Sequence, residues 1–182
     1  LETFREPKDF VDDPGYPKIR EATLAAIDLG SVDKPIVDIL SGFATVPHCF
    51  SLQCCYGHFL CAPQSDPHSL DPIPSDYQGQ VRYRIAYIAL ALENSRRGLA
   101  LRESLCGLTA IDADFIHFGS PEWFWEQRVN SYVLQVEPIA DKFKDEALLD
   151  IAGALHTQRV RDLFFKELRQ LMAGEIRAHA ER

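Results

Sequence analysis

An α+β fold is what this chain predicts: a single domain in which a small mixed sheet is flanked by helices and followed by a C-terminal helix. Three observations lead there. Ser131 to Glu137 is rich in β-branched and aromatic residues and stops at Pro138, as a strand does. Val160, Leu163, Phe164, Leu168 and Leu171 fall on one helical stripe. Strand and helix signals are interspersed without βαβ repetition, which separates this pattern from a parallel α/β sheet. The 182 residues are 46% apolar, enough for one core and one domain.

Residues 1–16 are polar and carry Pro7, Pro14 and Gly15, so they read as an arm, with the domain proper over 17–182. Pro17 suits a first helical turn, and the helix it opens runs to about Leu29, where Gly30 stops it. Asp33 stands as the cap of a second helix, with Pro35 in its first turn and Ile36, Val37, Leu40 and Phe43 on its apolar side. Phe50 to Leu60 reads as one strand with Gly57 inside it. A glycine there marks a bulge or a close backbone approach. Strict alternation puts Phe50, Leu52 and Cys54 on one face and Ser51, Gln53 and Cys55 on the other.

Cys61 to Asp76 holds four prolines and is too long for an ordinary connection, which points to a functional loop. Ser75 with Gln78 fits a capping box, and Val81, Ile85, Ile88 and Leu92 then follow at helical spacing up to a break at Gly98. Phe115 to Phe118 reads as a short strand. Ser120-Pro121-Glu122 starts a helical turn bearing Trp123, Phe124 and Trp125. After the strand at 131–137, one helix is expected from about Asp141 to Leu155 and a second from near Thr157.

Composition narrows the function classes. No apolar run approaches the roughly 20 residues that cross a bilayer, so no membrane partner is expected. Five cysteines, an odd number without a regular framework, fit a reducing, cytoplasmic setting. The net charge of −8 opposes broad binding to nucleic acid. Arg82, Arg84, Arg96, Arg97 and Arg102 read first as a solvated helix face. Gathered on one rim, they would make a local basic site. No dinucleotide-binding or nucleoside-triphosphate loop is present.

The chemistry concentrates between His48 and His68, which holds four of the five cysteines and three of the six histidines. Thiol and imidazole are suited to nucleophilic work and to soft-metal binding. Cys55 and His58 are the candidate catalytic pair, and they lack a visible third group to orient them. His117, on the next expected strand, is a candidate for the same pocket. No C-x-x-C pair occurs, so no metal ligand is assigned. The zinc alternative would draw on His58 and Cys61, with Cys49 or His48. Trp123, Phe124 and Trp125 could stack a base, or anchor a short helix in the core.

Three segments carry a resemblance. Val32-Asp33-Lys34-Pro35-Ile36-Val37-Asp38-Ile39-Leu40 followed by Phe50-Ser51-Leu52-Gln53-Cys54-Cys55-Tyr56-Gly57-His58-Phe59 resembles the wybutosine-synthesising tRNA methyltransferase family. That family has an I-V-x-x-L helix after a V-D pair, then a T-L-S-S-C-S-G-R-I strand. Ser51 and Leu52 fall on its T-L, Cys55 on its cysteine and Gly57 on its glycine. Tyr132 to Glu137 is similar to its I-I-H-V strand, followed by an Ala-Leu-Leu helix at Ala147, Leu148 and Leu149. Gln53 and Cys54 replace the serine pair, Tyr56 the next serine, and His58 the arginine. A K-W-H-E motif is missing.

The resemblance implies an α+β protein that uses S-adenosylmethionine to methylate a small-molecule or tRNA-like substrate. Gln53, Gly57 and Gln135 would then contact the cofactor, Gly57 by allowing close approach. His58 would contact an anionic or carbonyl group, or act as acid or base. The competing reading is a non-catalytic module whose Cys/His cluster binds a ligand or a metal such as zinc.

Overall fold

The structure, a computed structural model, describes residues 6–141 and 144–181. Residues 1–5 of the expected arm, and 142–143 of the helix expected over 141–155, lie outside the described residues. The class is α+β in one domain, and the strands form two antiparallel sheets. In the larger, β1 (Cys49–Cys55), β4 (Ala86–Leu92), β6 (Ser131–Val136) and β5 (Ile116–Gly119) lie in the order β1-β4-β6-β5. In the smaller, β2 (His58–Cys61), β3 (Val81–Arg84) and β7 (Glu146–Leu149) lie in the order β2-β3-β7.

Period-two alternation decides what each face of the larger sheet meets. Ile88, Leu90 and Leu92 of β4 and Tyr132, Leu134 and Val136 of β6 point into the main core. There they meet α2 (Val37–Thr45), α3 (Arg96–Gly107) and α5 (Ile151–Ala180). The buried stripe of α5 includes Val160, Phe164 and Leu168 as its spacing predicts, but Phe165 and Met172 complete it, while the expected Leu163 is exposed and Leu171 only half-buried. The other face is covered at one end by α1 (Tyr16–Ala26), whose Tyr16 and Leu24 pack with Phe50, Leu52 and Ala91. Phe124 of α4 (Glu122–Gln127) covers Ala89 and Val133 at the other. Between these covers the sheet is open.

Residues 6–15 of the arm are held to the domain. Val11 exchanges hydrogen bonds of 2.9 Å with the Asn130 amide, and Tyr132 donates to the Lys8 carbonyl at 2.8 Å. Capping follows local chemistry: Ser95 accepts from the Gly98 amide to open α3, and Asp150 from the Gly153 amide to open α5. Gly98 therefore lies in a first helical turn and breaks nothing.

Three expectations are corrected. The strand over 50–60 is two strands in different sheets. Gly57, at φ +87°, turns the chain between them, and the bulge lies between Ser51 and Gln53. The helix expected from Ser75 to Gly98 is β3 and β4. Val81 and Tyr83 face in while Arg82 and Arg84 face out, a period of two. The β4 run is buried on both faces, so its apolar residues also matched a helical stripe. The helix expected over 141–155, with the Ala147-Leu148-Leu149 helix of the resemblance, is instead β7, whose ladder with β3 overrides local helix preference. One continuous helix, α5, follows.

The two sheets meet at short corners. Only Ile85 separates β3 from β4, and only Tyr56 and Gly57 separate β1 from β2. Tyr83, fully buried, ties the corner: its hydroxyl donates to the Val136 carbonyl at 2.7 Å and accepts from the Ala86 amide at 2.9 Å.

Candidate functional site

A cleft of about 840 Å³ opens where the sheets meet, on the uncovered face of the larger one. Its floor comes from alternate residues of three strands: Gln53 and Cys55 of β1, Tyr87 of β4, and Val133 and Gln135 of β6. One wall is Pro121, Trp123 and Phe124 at α4. The other carries charge: Arg84 ends β3, and Lys144, Asp145 and Glu146 lead into β7. The volume suits a nucleoside-sized or drug-sized ligand. Trp123 is 67% exposed, so its ring is available to a ligand face.

The bulge after Ser51 resets alternation along β1. Gln53 and Cys55 still share the cleft face, but Phe50 and Leu52 pack under α1 while Cys54 turns to the main core. Burial, with Asp33 nearby, pushes the Cys54 thiol up to about 12, so it is inert near neutrality. Cys49 is sealed and leans on the Phe43 carbonyl. Cys61 closes the far end of β2 from His58, and His48 pairs with Glu175 at 3.0 Å. The zinc ligands suggested by spacing thus do not assemble.

A different set does. Behind the cleft floor, ligand atoms of Asp33, Cys55 and His58 lie within 4.8 Å of one another. His58 is buried at 2% exposure, so it does not line the cleft as a cofactor or substrate contact would. Its Nδ1 donates to the Ser69 carbonyl at 3.1 Å, and its Nε2 lies 3.5 Å from Asp33 Oδ2. The hydrogen bond to Asp33 and then that to Cys55 outweigh burial and raise the imidazole to about 10. Burial works to raise the Asp33 carboxyl, but His58 and the Tyr56 amide, at 2.8 Å, hold it below its usual range. Cys55 Sγ receives the Gly57 amide at 3.4 Å.

Asp33 is the group that sequence reasoning missed. Its position before Pro35 invites a helix cap, yet its side chain caps nothing; it faces a strand corner more than twenty positions away. The Val32-Asp33 pair was the available signal. Ser69, from the proline-rich loop, supplies the other orienting contact.

Other expectations sort clearly. Gln135 lines the cleft and donates to the buried Glu137 carboxylate. His117 pairs with Gln135 across the sheet, but its ring contacts the Glu137 carbonyl at 3.0 Å and does not line the cleft. Gly57 does allow close approach, to the protein itself: a Cβ there would sit 2.8 Å from Ala86 Cβ and 3.1 Å from the Tyr83 ring, which leaves its expected cofactor contact without room. Of the aromatic trio, Trp123 and Phe124 face the cleft, while Trp125 packs edge-on against Tyr132. Arg84 reaches the cleft. Arg96 and Arg97 follow the opposite end of β4, where Arg97 meets His179, so the rim expected from Arg82, Arg96 and Arg97 does not form.

No family model matches the chain, and no curated protein does. Among solved structures it is similar to the PH1069 protein from Pyrococcus horikoshii, at 13% identity over 88% of this chain and 93% of that one, with a TM-score of 0.44. A second structure, of the PH1069 protein from Pyrococcus horikoshii OT3, matches at 10% identity over 91% of both chains, with a TM-score of 0.43. No helix among the described residues is long and apolar enough to cross a membrane.

Proposed function

We propose that the cleft is a methyl-transfer site resembling that of the wybutosine-synthesising tRNA methyltransferases, binding S-adenosylmethionine and a nucleotide-like substrate. One observation carries the reading. Two of the three segments that resemble that family, 50–59 and 132–137, lie in different parts of the chain yet converge on this cleft, through Gln53 and Cys55 from one and Val133 and Gln135 from the other. The donor set fits both ligands. Trp123, Phe124 and Tyr87 offer ring faces for purines, Arg84 and Lys144 offer cations for a carboxylate or phosphate, and Asp145 and Glu146 can accept from ribose hydroxyls or an ammonium.

When bound, S-adenosylmethionine supplies a methyl group on a sulfonium, released with the carbon–sulfur electron pair returning to sulfur. The chain's own part is to place the nucleophile and remove its proton. The Gln53 and Gln135 amides fix the base edge, the aromatic wall stacks it and excludes water, and Asp145 or Glu146 receives the proton that the substrate nitrogen loses. Cys55 forms the contact surface of the floor. His58 and Asp33 act from behind it as positioning residues.

Isothermal calorimetry with S-adenosylmethionine tests the reading. Binding is expected with wild type, weakened about tenfold or more by Trp123→Ala and by Gln135→Ala, each interaction representing at least ~1.4 kcal/mol. No heat and no thermal shift at millimolar ligand would remove the methyl-transfer reading and leave a cleft for another purine-like ligand.

A further inference from the structure

The corner behind the cleft floor has the composition of a metal centre. We propose that Asp33, Cys55 and His58 hold a zinc-class divalent cation beside the cleft. This goes beyond the methyl-transfer reading and does not depend on it.

Ligand type comes first. Thiolate, imidazole and carboxylate are the three donors that zinc accepts, and a site with three protein ligands and one free position is the catalytic rather than the structural pattern. Cys55 and His58 are three apart, and the tight Tyr56-Gly57 corner turns both toward Asp33. Their donor atoms already lie within 4.8 Å of one another. A tetrahedral ion needs only modest closure of that triangle.

Outer contacts carry the argument further. Metal-binding side chains are held by second partners that fix tautomer and orientation. All three have one here. A carbonyl oxygen only accepts, so the Ser69 contact at 3.1 Å places a proton on His58 Nδ1 and turns Nε2 toward Asp33. The Tyr56 amide donates to Asp33 Oδ2 at 2.8 Å, and the Gly57 amide to Cys55 Sγ at 3.4 Å. Three backbone groups thus aim three side chains at one point.

Access fits as well. Cys55 also lines the cleft, whereas Asp33 and His58 do not, so an ion among them would share one ligand with the cleft floor. Cys54 turns to the core and cannot add a donor.

Cobalt is the probe. Chelator-treated full chain titrated with Co²⁺ is expected to bind one equivalent and to develop thiolate-to-cobalt charge-transfer absorption with tetrahedral visible bands. Cys55→Ser should abolish the charge-transfer band, and Asp33→Asn should weaken binding at least about tenfold. Cys54→Ser should change neither. In the unsubstituted protein, Zn²⁺ should slow alkylation of Cys55 by iodoacetamide at least about tenfold, read by mass spectrometry, with Cys106 alkylating at an unchanged rate. This second readout needs no variant to fold. No cobalt spectrum, a spectrum that survives Cys55→Ser, or alkylation of Cys55 indifferent to Zn²⁺ would each overturn the site.

Discussion

The two sheets solve different problems with different sequence. The four-stranded sheet is apolar through its middle, and β4 and β6 are buried on both faces or nearly so. Its stability comes from area removed from water. The three-stranded sheet has short strands whose outward residues are charged or exposed: Arg82 and Arg84 in β3, Glu146 and Leu148 in β7. Its inward residues Phe59, Val81, Tyr83, Ala147 and Leu149 join the main core, and it is also tied to its neighbour by polar contacts. Tyr83 bridges to the Val136 carbonyl, and Arg161 of α5 donates to the Gly57 carbonyl at 3.0 Å. The difference teaches where the chemistry can lie. The larger sheet supplies a rigid floor, the smaller one supplies charge, and the candidate site sits on the short corners that join them.

The sharpest way to break this comparison is at the corner itself. Gly57→Val puts a branched side chain at φ +87° and against Ala86 and the Tyr83 ring. Backbone strain of ~1–3 kcal/mol adds to overpacking of similar size. The expected loss is about 3 kcal/mol or more, with the smaller sheet detaching first. Hydrogen exchange should show β2 and β3 amides losing protection while β4 and β6 keep theirs. Uniform loss across both sheets would mean that the corner does not separate two cooperative units.

Arg161 gives the next largest effect. Its guanidinium lies 4.2 Å from the Tyr56 ring centroid and 4.9 Å from that of Phe59, beside its hydrogen bond to Gly57. Arg161→Ala should cost about 2–3 kcal/mol in urea unfolding, since a buried charged donor and its stacking are both lost. Arg161→Lys should recover only part, because a point charge cannot stack and donate together. Full rescue by lysine would show that charge alone matters there.

The ionised corner sharpens the comparison through pH. His58 is raised from 6.5 to about 10, so its stabilising contribution is complete below about 6.5 and is lost as pH rises through about 10. Asp33 is lowered, so its contribution is present above its ordinary 3.8 and disappears only as pH falls below that. Metal-free wild type should therefore lose stability between about pH 6.5 and 10, and His58→Gln should flatten that limb. Equal slopes in the two proteins would remove the ion pair from the account.

How much of this was legible follows the same division. β5, β6, the α4 turn and the stripe of α5 were readable, because each has a local signal of composition, proline or period. Gln53 and Cys55 were readable as neighbours because alternation holds after the bulge, and Gln135 because the strand at 131–137 was correct. Of the smaller sheet only β2 was readable, as the tail of the strand expected over 50–60; β3 and β7 were not. Val81, Ile85, Ile88 and Leu92 satisfy a helical spacing, and only the partners across the ladder reveal Ile85 as a corner between two strands. Glu146-Ala147-Leu148-Leu149 is composed largely of helix formers, and pairing with β3 decides its state. Missing those strands hid Arg84, Tyr87 and Glu146 from the site. Asp33 was hidden for another reason: its partners are distant in sequence, and a plausible local role as a helix cap was already available.

The smallest expected stability effect tests whether the aromatic wall belongs to function or to packing. Trp123 and Trp125 are two apart on the short α4, yet they face different surroundings. Trp125 packs edge-on to Tyr132 at 6.1 Å, with the Lys8 ammonium 5.0 Å from its ring. Trp123 stands at the cleft with two thirds of its surface in water. A residue left two-thirds in water contributes little to folding, so Trp123→Ala should shift stability by no more than ~0.5 kcal/mol. An exposed indole beside a cleft can instead stack a purine, which is worth ~1–3 kcal/mol per base. Trp125→Ala should show the reverse, with stability falling by ~2 kcal/mol or more and ligand contact affected only through that loss. Urea unfolding and S-adenosylmethionine calorimetry on both variants give four numbers, and only the crossed pattern supports a ligand-facing wall. If Trp123→Ala instead costs as much stability as Trp125→Ala, the indole is part of the core, and the cleft loses the ring on which the purine reading depends.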